Sequence, residues 1–137
     1  MTALIDTNVM LDFLLTRNQF AQDACNCIER IKSAKGKAYI TASTITDIYY
    51  ITRRALKDHD AAKAIISKIL NSFQIASVSK ADCMRALEVE TNDYEDALVF
   101  VCAERIKADY IITRNNKHFS ASPVKAVTPV QFLESYP

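Results

Sequence analysis

Residues 1–11 are Met-Thr-Ala-Leu-Ile-Asp-Thr-Asn-Val-Met-Leu, and this stretch decides the fold because a strand pattern passes directly into a helix start. The short apolar run ends at Asp6, and Thr7 and Asn8 are residue types that commonly begin a helix. We therefore predict a buried strand followed at once by a helix. Asp6 is then at the carboxyl end of the strand, where ligands gather in open α/β sheets.

The alternation of strand and helix patterns continues along the chain. It predicts a three-layer α/β sandwich, with a mainly parallel central sheet of about five strands flanked by helices on both faces. With 137 residues, of which 50% are hydrophobic, the chain is long enough for one core, so we predict a single domain over residues 1–137. Strand patterns occupy 3–5, 38–41, 74–78, 110–113 and, weakly, 124–127; helical patterns occupy 8–15, 19–34, 43–56, 60–73, 81–89 and 93–107.

Composition excludes several classes of protein. A net charge of +1 produces no field over the whole molecule, so any nucleic-acid binding must be local. The single glycine, Gly36, rules out a glycine-rich phosphate loop. The longest apolar runs are shorter than the roughly 20 residues that span a bilayer, and no basic segment precedes the first of them, so we expect no membrane or secretory role. The four cysteines lack paired zinc spacing, and we expect reduced thiols in a cytoplasmic protein.

Four acids, Asp6, Asp47, Asp93 and Asp96, occur beside helix-start or turn signals or within an apolar helical pattern. Asp47 is in the middle of a predicted helix, and a carboxylate beside apolar surface needs a partner or a metal. Two carboxylates about 4 Å apart repel each other by roughly 4 kcal/mol at an effective dielectric constant of about 20. If the four acids converge, a hard divalent cation with oxygen ligands is the usual means of holding them together.

Each acid also has a purely structural explanation. Asp93 and Asp96 have the spacing of a helix capping box, and Asp6 could cap the first helix. Taken singly, each explanation is as good as a functional one, but their combination with Asp47 favours a site. We expect the other aspartates to be surface residues and the two histidines to be isolated: Asp12, Asp23, Asp58, Asp60, Asp82, Asp109, His59 and His118.

Four segments follow one another along the chain: Leu4-Ile-Asp-Thr-Asn-Val-Met-Leu-Asp, Thr41-Ala-Ser-Thr-Ile-Thr-Asp-Ile-Tyr-Tyr, Asp93-Tyr-Glu-Asp-Ala-Leu and Tyr110-Ile-Ile-Thr-Arg-Asn-Asn-Lys-His-Phe. In order and spacing they resemble the PIN domain family, and the ending Val127-Thr-Pro-Val-Gln-Phe-Leu is similar to the family's last strand and helix. The resemblance covers essentially the whole chain. It implies a small α/β sandwich and a Mg²⁺- or Mn²⁺-dependent ribonuclease, a group that includes toxins of bacterial toxin–antitoxin pairs.

The resemblance assigns roles to individual positions. Asp6, Asp47 and Asp96 match the three principal acids of the family, and Asp47 stands where glutamate is usual. Asp93 matches an accessory acid, so these four residues are the expected metal ligands. Asn115, the fourth expected catalytic residue, stands where many members have aspartate. His118 likewise replaces a frequent aspartate, which leaves the site with less negative charge than the family pattern.

The resemblance therefore implies hydrolysis of RNA phosphodiester bonds, with an antitoxin and a second copy of the chain as expected partners. Two alternatives remain open. Asn115 and His118 favour a catalytically weakened RNA-binding or protein-interaction module, and because fold does not fix substrate, hydrolysis of small phosphate esters is a third reading. The expected substrate-binding residues are Thr7, Asn8, Thr113, Arg114 and Arg53, with Arg54 as a further candidate.

Overall fold

The computed structural model describes residues 1–16 and 19–136, so residues 17, 18 and 137 of the predicted domain lie outside it. Within the described residues, five strands form one sheet and seven α-helices flank it. A short 3₁₀ helix spans Asn116–Phe119. The elements are β1 (Thr2–Ile5), α1 (Thr7–Leu15), α2 (Ala21–Ser33), β2 (Lys37–Thr41), α3 (Ala42–Leu56), α4 (His59–Ser72), β3 (Gln74–Ala76), α5 (Lys80–Ala86), α6 (Tyr94–Arg105), β4 (Tyr110–Ile112), β5 (Lys125–Val127) and α7 (Pro129–Ser135).

The sheet confirms the predicted fold class. Its strand order is β3-β2-β1-β4-β5, and every neighbouring pair is parallel. β2 and β3 lie on one side of β1, and β4 and β5 lie on the other. The strand order therefore reverses between β1 and β4, and in such sheets the crevice for a ligand opens outside the carboxyl ends of the strands at that point.

Strand β1 is buried on both faces, which explains its unbroken apolar run. Ala3 and Ile5 contribute to the larger core cluster, on the side of α1 and α2, whereas Leu4 points to the other face. There it belongs to a second cluster with Phe100 of α6 and Ile111 of β4. None of the helices in the described residues is long and apolar enough to cross a membrane.

Predicted and observed element bounds differ most at α5, which was expected to reach residue 89 but ends at Ala86. The amides of Leu87 and Glu88 donate to the carbonyls three residues earlier, Met84 and Arg85. This tighter bonding converts the end of the helix into turns, a common form of helix termination. Strand β3 likewise ends at Ala76 instead of residue 78.

The prediction that Asp12 and Asp82 are surface acids was wrong. Both residues are only 1% exposed. Asp12 Oδ2 lies 2.8 Å from Nε of Arg114, and Asp82 Oδ1 lies 3.0 Å from Nε of Arg105. Each acid is buried because a distant part of the chain supplies a guanidinium group, and a partner of that kind leaves no mark in the local sequence pattern.

Candidate active site

A cleft of about 560 Å³ opens at the carboxyl edge of the sheet. Its walls come from the start of α1, from α3, from the first turn of α6 and from the loop after β4. All four of the predicted metal-binding acids line it. The lining residues include Asp6, Thr7, Asn8, Leu11, Thr41, Ser43, Thr44, Asp47, Ile51, Asp93, Glu95, Asp96, Leu98, Val99, Asn115, His118 and Phe119.

Asp6 lies at the base of the cleft, between β1 and α1. It is the N-cap of α1, and its Oδ1 accepts a hydrogen bond of 2.8 Å from the amide of Thr7. The capping interpretation is therefore confirmed, but the same carboxylate also faces the cleft. Burial raises the pKa of Asp6, and repulsion from Asp93 raises it further, against the opposing effect of its hydrogen bonds to Thr113 and Thr7.

Thr113 links the two strands that flank the switch point. Its side chain is fully buried, and its hydroxyl donates to Oδ2 of Asp6 at 2.8 Å. The hydroxyl oxygen of Thr113 also accepts a hydrogen bond of 3.2 Å from the amide of Asn115. Thr113 does not line the cleft, so its hydroxyl is positioned to orient Asp6 and the following loop rather than to touch a substrate.

A cluster of hydroxyl groups joins α1 to α3. Thr41 ends β2 and caps α3, and its Oγ1 lies 3.0 Å from Oγ1 of Thr44. Thr44 Oγ1 lies 3.0 Å from Oγ1 of Thr7. These bonds hold the first turns of the two helices together at the carboxyl edge of the sheet. They thereby direct the stripe of α3 that carries Asp47, one turn after Thr44, towards the cleft.

Helix α6 brings two acids to the opposite wall. Asp93 is its N-cap and accepts a hydrogen bond of 3.2 Å from the amide of Asp96. The predicted capping box is only half formed. The amide of Asp93 donates to the hydroxyl of Thr91 and not to the side chain of Asp96. Burial, together with repulsion from Asp93 and Asp6, raises the pKa of Asp96 to about 6, although the positive charge of His118 opposes the shift.

Two titratable residues of the cleft, Glu95 and His118, were not among the predicted site residues. Glu95 lines the wall between Asp93 and Asp96, and its pKa is raised by burial and by repulsion from Asp47, Asp93 and Asp6. The signal that could have indicated it was its place inside the acidic segment at the start of α6. His118, which we expected to be isolated, instead lines the cleft on the 3₁₀ helix.

Two of the arginines expected to bind substrate do not line the cleft. Arg114 is held by Asp12, and its guanidinium carbon lies 4.4 Å from the centre of the Phe20 ring. Its amide donates to Oδ1 of Asn8 at 3.4 Å, so its backbone helps to orient that side chain. Arg53 is exposed in the last turn of α3.

The donor set of the cleft suits a hard divalent cation, because it consists of carboxylate oxygens with amide and hydroxyl groups beside them. Burial in the first place, and repulsion between neighbouring carboxylates in the second, raise the pKa values of Asp6, Glu95 and Asp96. In the part of the chain that the structure describes, no three histidine, cysteine or acidic side chains are close enough to form a ready-made metal site.

A PIN domain model matches residues 2–117, and the chain belongs to the PIN domain family. The fold is shared with solved structures at low sequence identity. VapBC2 from Rickettsia felis, bound to a DNA fragment from its promoter, has 15% identity and a TM-score of 0.72, with 93% of this chain and 98% of that chain covered. A toxin–antitoxin complex from Klebsiella pneumoniae has 22% identity and a TM-score of 0.68, covering 93% and 97%.

A third similar structure is VapC20 from Mycobacterium tuberculosis, described as a toxin that cleaves the sarcin–ricin loop. It has 15% identity and a TM-score of 0.70, with 89% of this chain and 95% of that chain covered. Comparison with curated proteins gave no match. The family assignment accounts for the α/β sandwich.

Proposed function

We propose that this protein is a divalent-metal-dependent ribonuclease that hydrolyses phosphodiester bonds in RNA and acts as the toxin of a toxin–antitoxin pair. The observation that carries the proposal is the convergence of Asp6, Asp47, Asp93 and Asp96 on one cleft at the switch point of the sheet. Membership of the PIN domain family supports the nuclease class. Cleavage of an RNA target by the similar VapC20 supports the substrate class.

Asp6, Asp47, Asp93 and Asp96 would hold Mg²⁺ or Mn²⁺ in this cleft. When bound, such a cation supplies Lewis acidity, which favours ionisation of water and stabilises the charge that develops on the phosphate. The protein's own contribution is to orient the acids, through the Thr113 hydroxyl on Asp6 and the amide of Asp96 on Asp93.

Other side chains in the cleft can bind the substrate or exchange a proton. Thr7, Asn8 and Asn115 present hydroxyl and amide groups that can hydrogen-bond a phosphate or an attacking water. Because the pKa of Asp96 is raised to about 6, its carboxyl group can accept and release a proton near neutral pH in the metal-free protein. His118 supplies a cation opposite Asp96 whenever it is protonated.

The proposed antitoxin partner is supported by two of the similar structures, which are complexes of the VapBC and toxin–antitoxin type. We propose an antitoxin that binds this chain, a homodimer, and action on RNA in the cytoplasm. Co-expression with the product of an adjacent reading frame, followed by co-purification and growth measurement, tests the antitoxin. Growth arrest that the neighbour does not relieve would contradict the proposed pairing.

The nuclease itself is tested by incubating purified protein with a pool of structured and single-stranded RNA in Mn²⁺, Mg²⁺ or EDTA. Asp6→Asn and Asp96→Asn are run beside the parent, and Asp60→Asn, on the exposed first turn of α4, is the matched control. We expect metal-dependent cleavage that both cleft variants lose and the control keeps. Cleavage that survives in Asp6→Asn and Asp96→Asn would show a contaminant and refute the assignment.

A binding module without catalysis is the second candidate, and Asn115 and His118 in the cleft are the observations that favour it. Each stands where the family pattern often has a negative charge. The two functions differ in one outcome of the same assay. RNA binding and stabilisation by Mn²⁺ without any cleavage would support the module and contradict the nuclease.

A further inference from the structure

One stripe of helix α3 continues from the acidic cleft onto the open surface. Residues three, four and seven positions apart lie on the same side of a helix. Starting from Asp47, these positions are Tyr50, Ile51 and Arg54. Asp47 and Ile51 line the cleft, and Tyr50 and Arg54 lie on the same side of the helix, next to that lining and outside it. With a rise of about 1.5 Å per residue, Arg54 is about 10 Å further along the helix than Asp47.

The side chains on this stripe are available for contact. Tyr50 is 61% exposed and Ile51 is 37% exposed. The Tyr50 ring makes an edge contact with the ring of Tyr49, at 5.4 Å between centres, so its orientation is partly fixed. Arg54 is exposed and forms no ion pair within residues 1–16 and 19–136.

An aromatic ring with a free cation beside it is the combination that binds single-stranded nucleic acid. A base stacks on the ring, and the guanidinium group neutralises a phosphate. The position is also electrostatically suited to this ligand. The cleft itself repels a polyanion unless cations balance it, and Arg54, Arg53 and Lys57 place positive charge at the end of the same helix.

From this geometry we infer that Tyr50 and Arg54 form a binding track for an unpaired stretch of the RNA substrate, leading into the acidic cleft. Tyr50 stacks on a base outside the scissile bond, and Arg54 contacts a phosphate on the same strand. The inference rests on the proposed ribonuclease function and adds to it two residues outside the acidic cleft that hold the substrate strand. A stacked base must be free of a helical partner, so a continuous duplex does not fit this track.

The inference is tested by binding of a fluorescein-labelled 12-nucleotide single-stranded RNA, with Ca²⁺ in place of Mg²⁺ and the RNA checked afterwards for intactness. We expect Tyr50→Ala to raise Kd about tenfold without changing its salt dependence, because a stacked base carries no charge. We expect Tyr50→Phe, which keeps the ring, to bind within twofold of the parent. Arg54→Ala should raise Kd and make the slope of log Kd against log salt about 0.7 shallower.

Two comparisons locate the track on the stripe. Lys68→Ala removes an exposed positive charge from α4 and should leave Kd within twofold of the parent. Arg53→Ala removes the same charge as Arg54→Ala from a neighbouring position that faces another side of the helix, and its effect should be clearly smaller. Equal increases in Kd for Arg53→Ala and Arg54→Ala would overturn the assignment. So would binding of duplex RNA that Tyr50→Ala weakens as much as it weakens binding of single-stranded RNA.

The remaining outcomes separate this inference from the function on which it rests. A parent protein that cleaves RNA while Tyr50→Ala and Arg54→Ala bind as it does would overturn the track and leave the nuclease intact. A parent that neither binds nor cleaves RNA would overturn both. If Tyr50→Ala instead converts a dimer to a monomer in light scattering, this face is a contact between copies and the inference is wrong.

Discussion

The hydroxyl of Thr113 donates a hydrogen bond of 2.8 Å to Oδ2 of Asp6 across 107 residues of sequence. This bond joins the residue that follows β4 to the residue that follows β1, at the point where the strand order of the sheet reverses. It stabilises the ionised form of the Asp6 carboxyl and opposes the effect of burial on its pKa. The charge state of the candidate site therefore depends on a side chain beneath it.

Thr113→Val should move the acid limb of the pH–rate profile to higher pH. Removing the hydroxyl removes a bond that favours the carboxylate, so the pKa of Asp6 rises and a smaller fraction is ionised at a given pH. We expect at least tenfold slower cleavage at pH 6 and a smaller loss at pH 8. Thr113→Ser keeps the donor and should retain the parent profile. A Thr113→Val profile that overlays the parent would contradict this coupling.

The metal-free protein should lose stability as pH rises from about 4 to about 6. The folded pKa of Asp96 is about 6, above the unfolded value near 3.8, so the folded state binds this proton more tightly. Stability from this group is therefore greatest below that window and falls as the carboxyl ionises in the fold. Thermal melting in EDTA across this range measures the effect.

Asp96→Asn should be more stable than the parent in EDTA at pH 7, because the amide carries no charge to be repelled by Asp93 and Asp6. We expect a gain of about 1 kcal/mol in the free energy of unfolding, which corresponds to a rise of roughly 3 °C in Tm for a chain of this size. The control is Asp60→Asn, outside the cleft. A lower Tm for Asp96→Asn than for the parent would show that repulsion does not dominate at this position.

Arg114→Met should lower the free energy of unfolding by about 3 kcal/mol, since it removes a cation 2.8 Å from the carboxylate of Asp12, a residue only 1% exposed. Urea denaturation measures the loss. Arg85→Met is the matched control, because its 3.7 Å pair with Glu104 is exposed on both sides and should contribute less than about 1 kcal/mol. Equal losses of stability in the two variants would mean that the buried ion pair of Asp12 contributes no more to stability than an exposed pair.

Asn115→Asp should make metal binding tighter and the metal-free protein less stable. The change adds a negative charge to a cleft whose acids already repel one another. We expect a Tm about 2 °C lower in EDTA and a larger rise on addition of Mn²⁺ than in the parent. Asn26→Asp, on the exposed surface of α2, is the control. Unchanged Mn²⁺ stabilisation would place Asn115 outside the metal site.

Local sequence patterns were sufficient to predict the elements and the fold class. An apolar run that ends at Asp6 and a helix that starts at Thr7 follow from strand and capping preferences, which act over a few residues. The alternation of such units predicts a parallel sheet because parallel strands need helical crossovers. Comparison of the order of the acids with a known family then predicted which four carboxylates form the site. The structure brings those four to one cleft.

Only the tertiary structure decided how those acids are held and charged. Asp12 looked like a surface residue, yet it is buried because Arg114, 102 positions later by residue number, lies 2.8 Å away. Thr113 looked like a substrate contact, yet its hydroxyl is directed at Asp6, and His118 looked isolated, yet it lines the same cleft as Asp96. A hydrogen bond or a Coulomb interaction depends on distance in space, and distances between residues far apart in the chain are set by which strands lie side by side in the sheet.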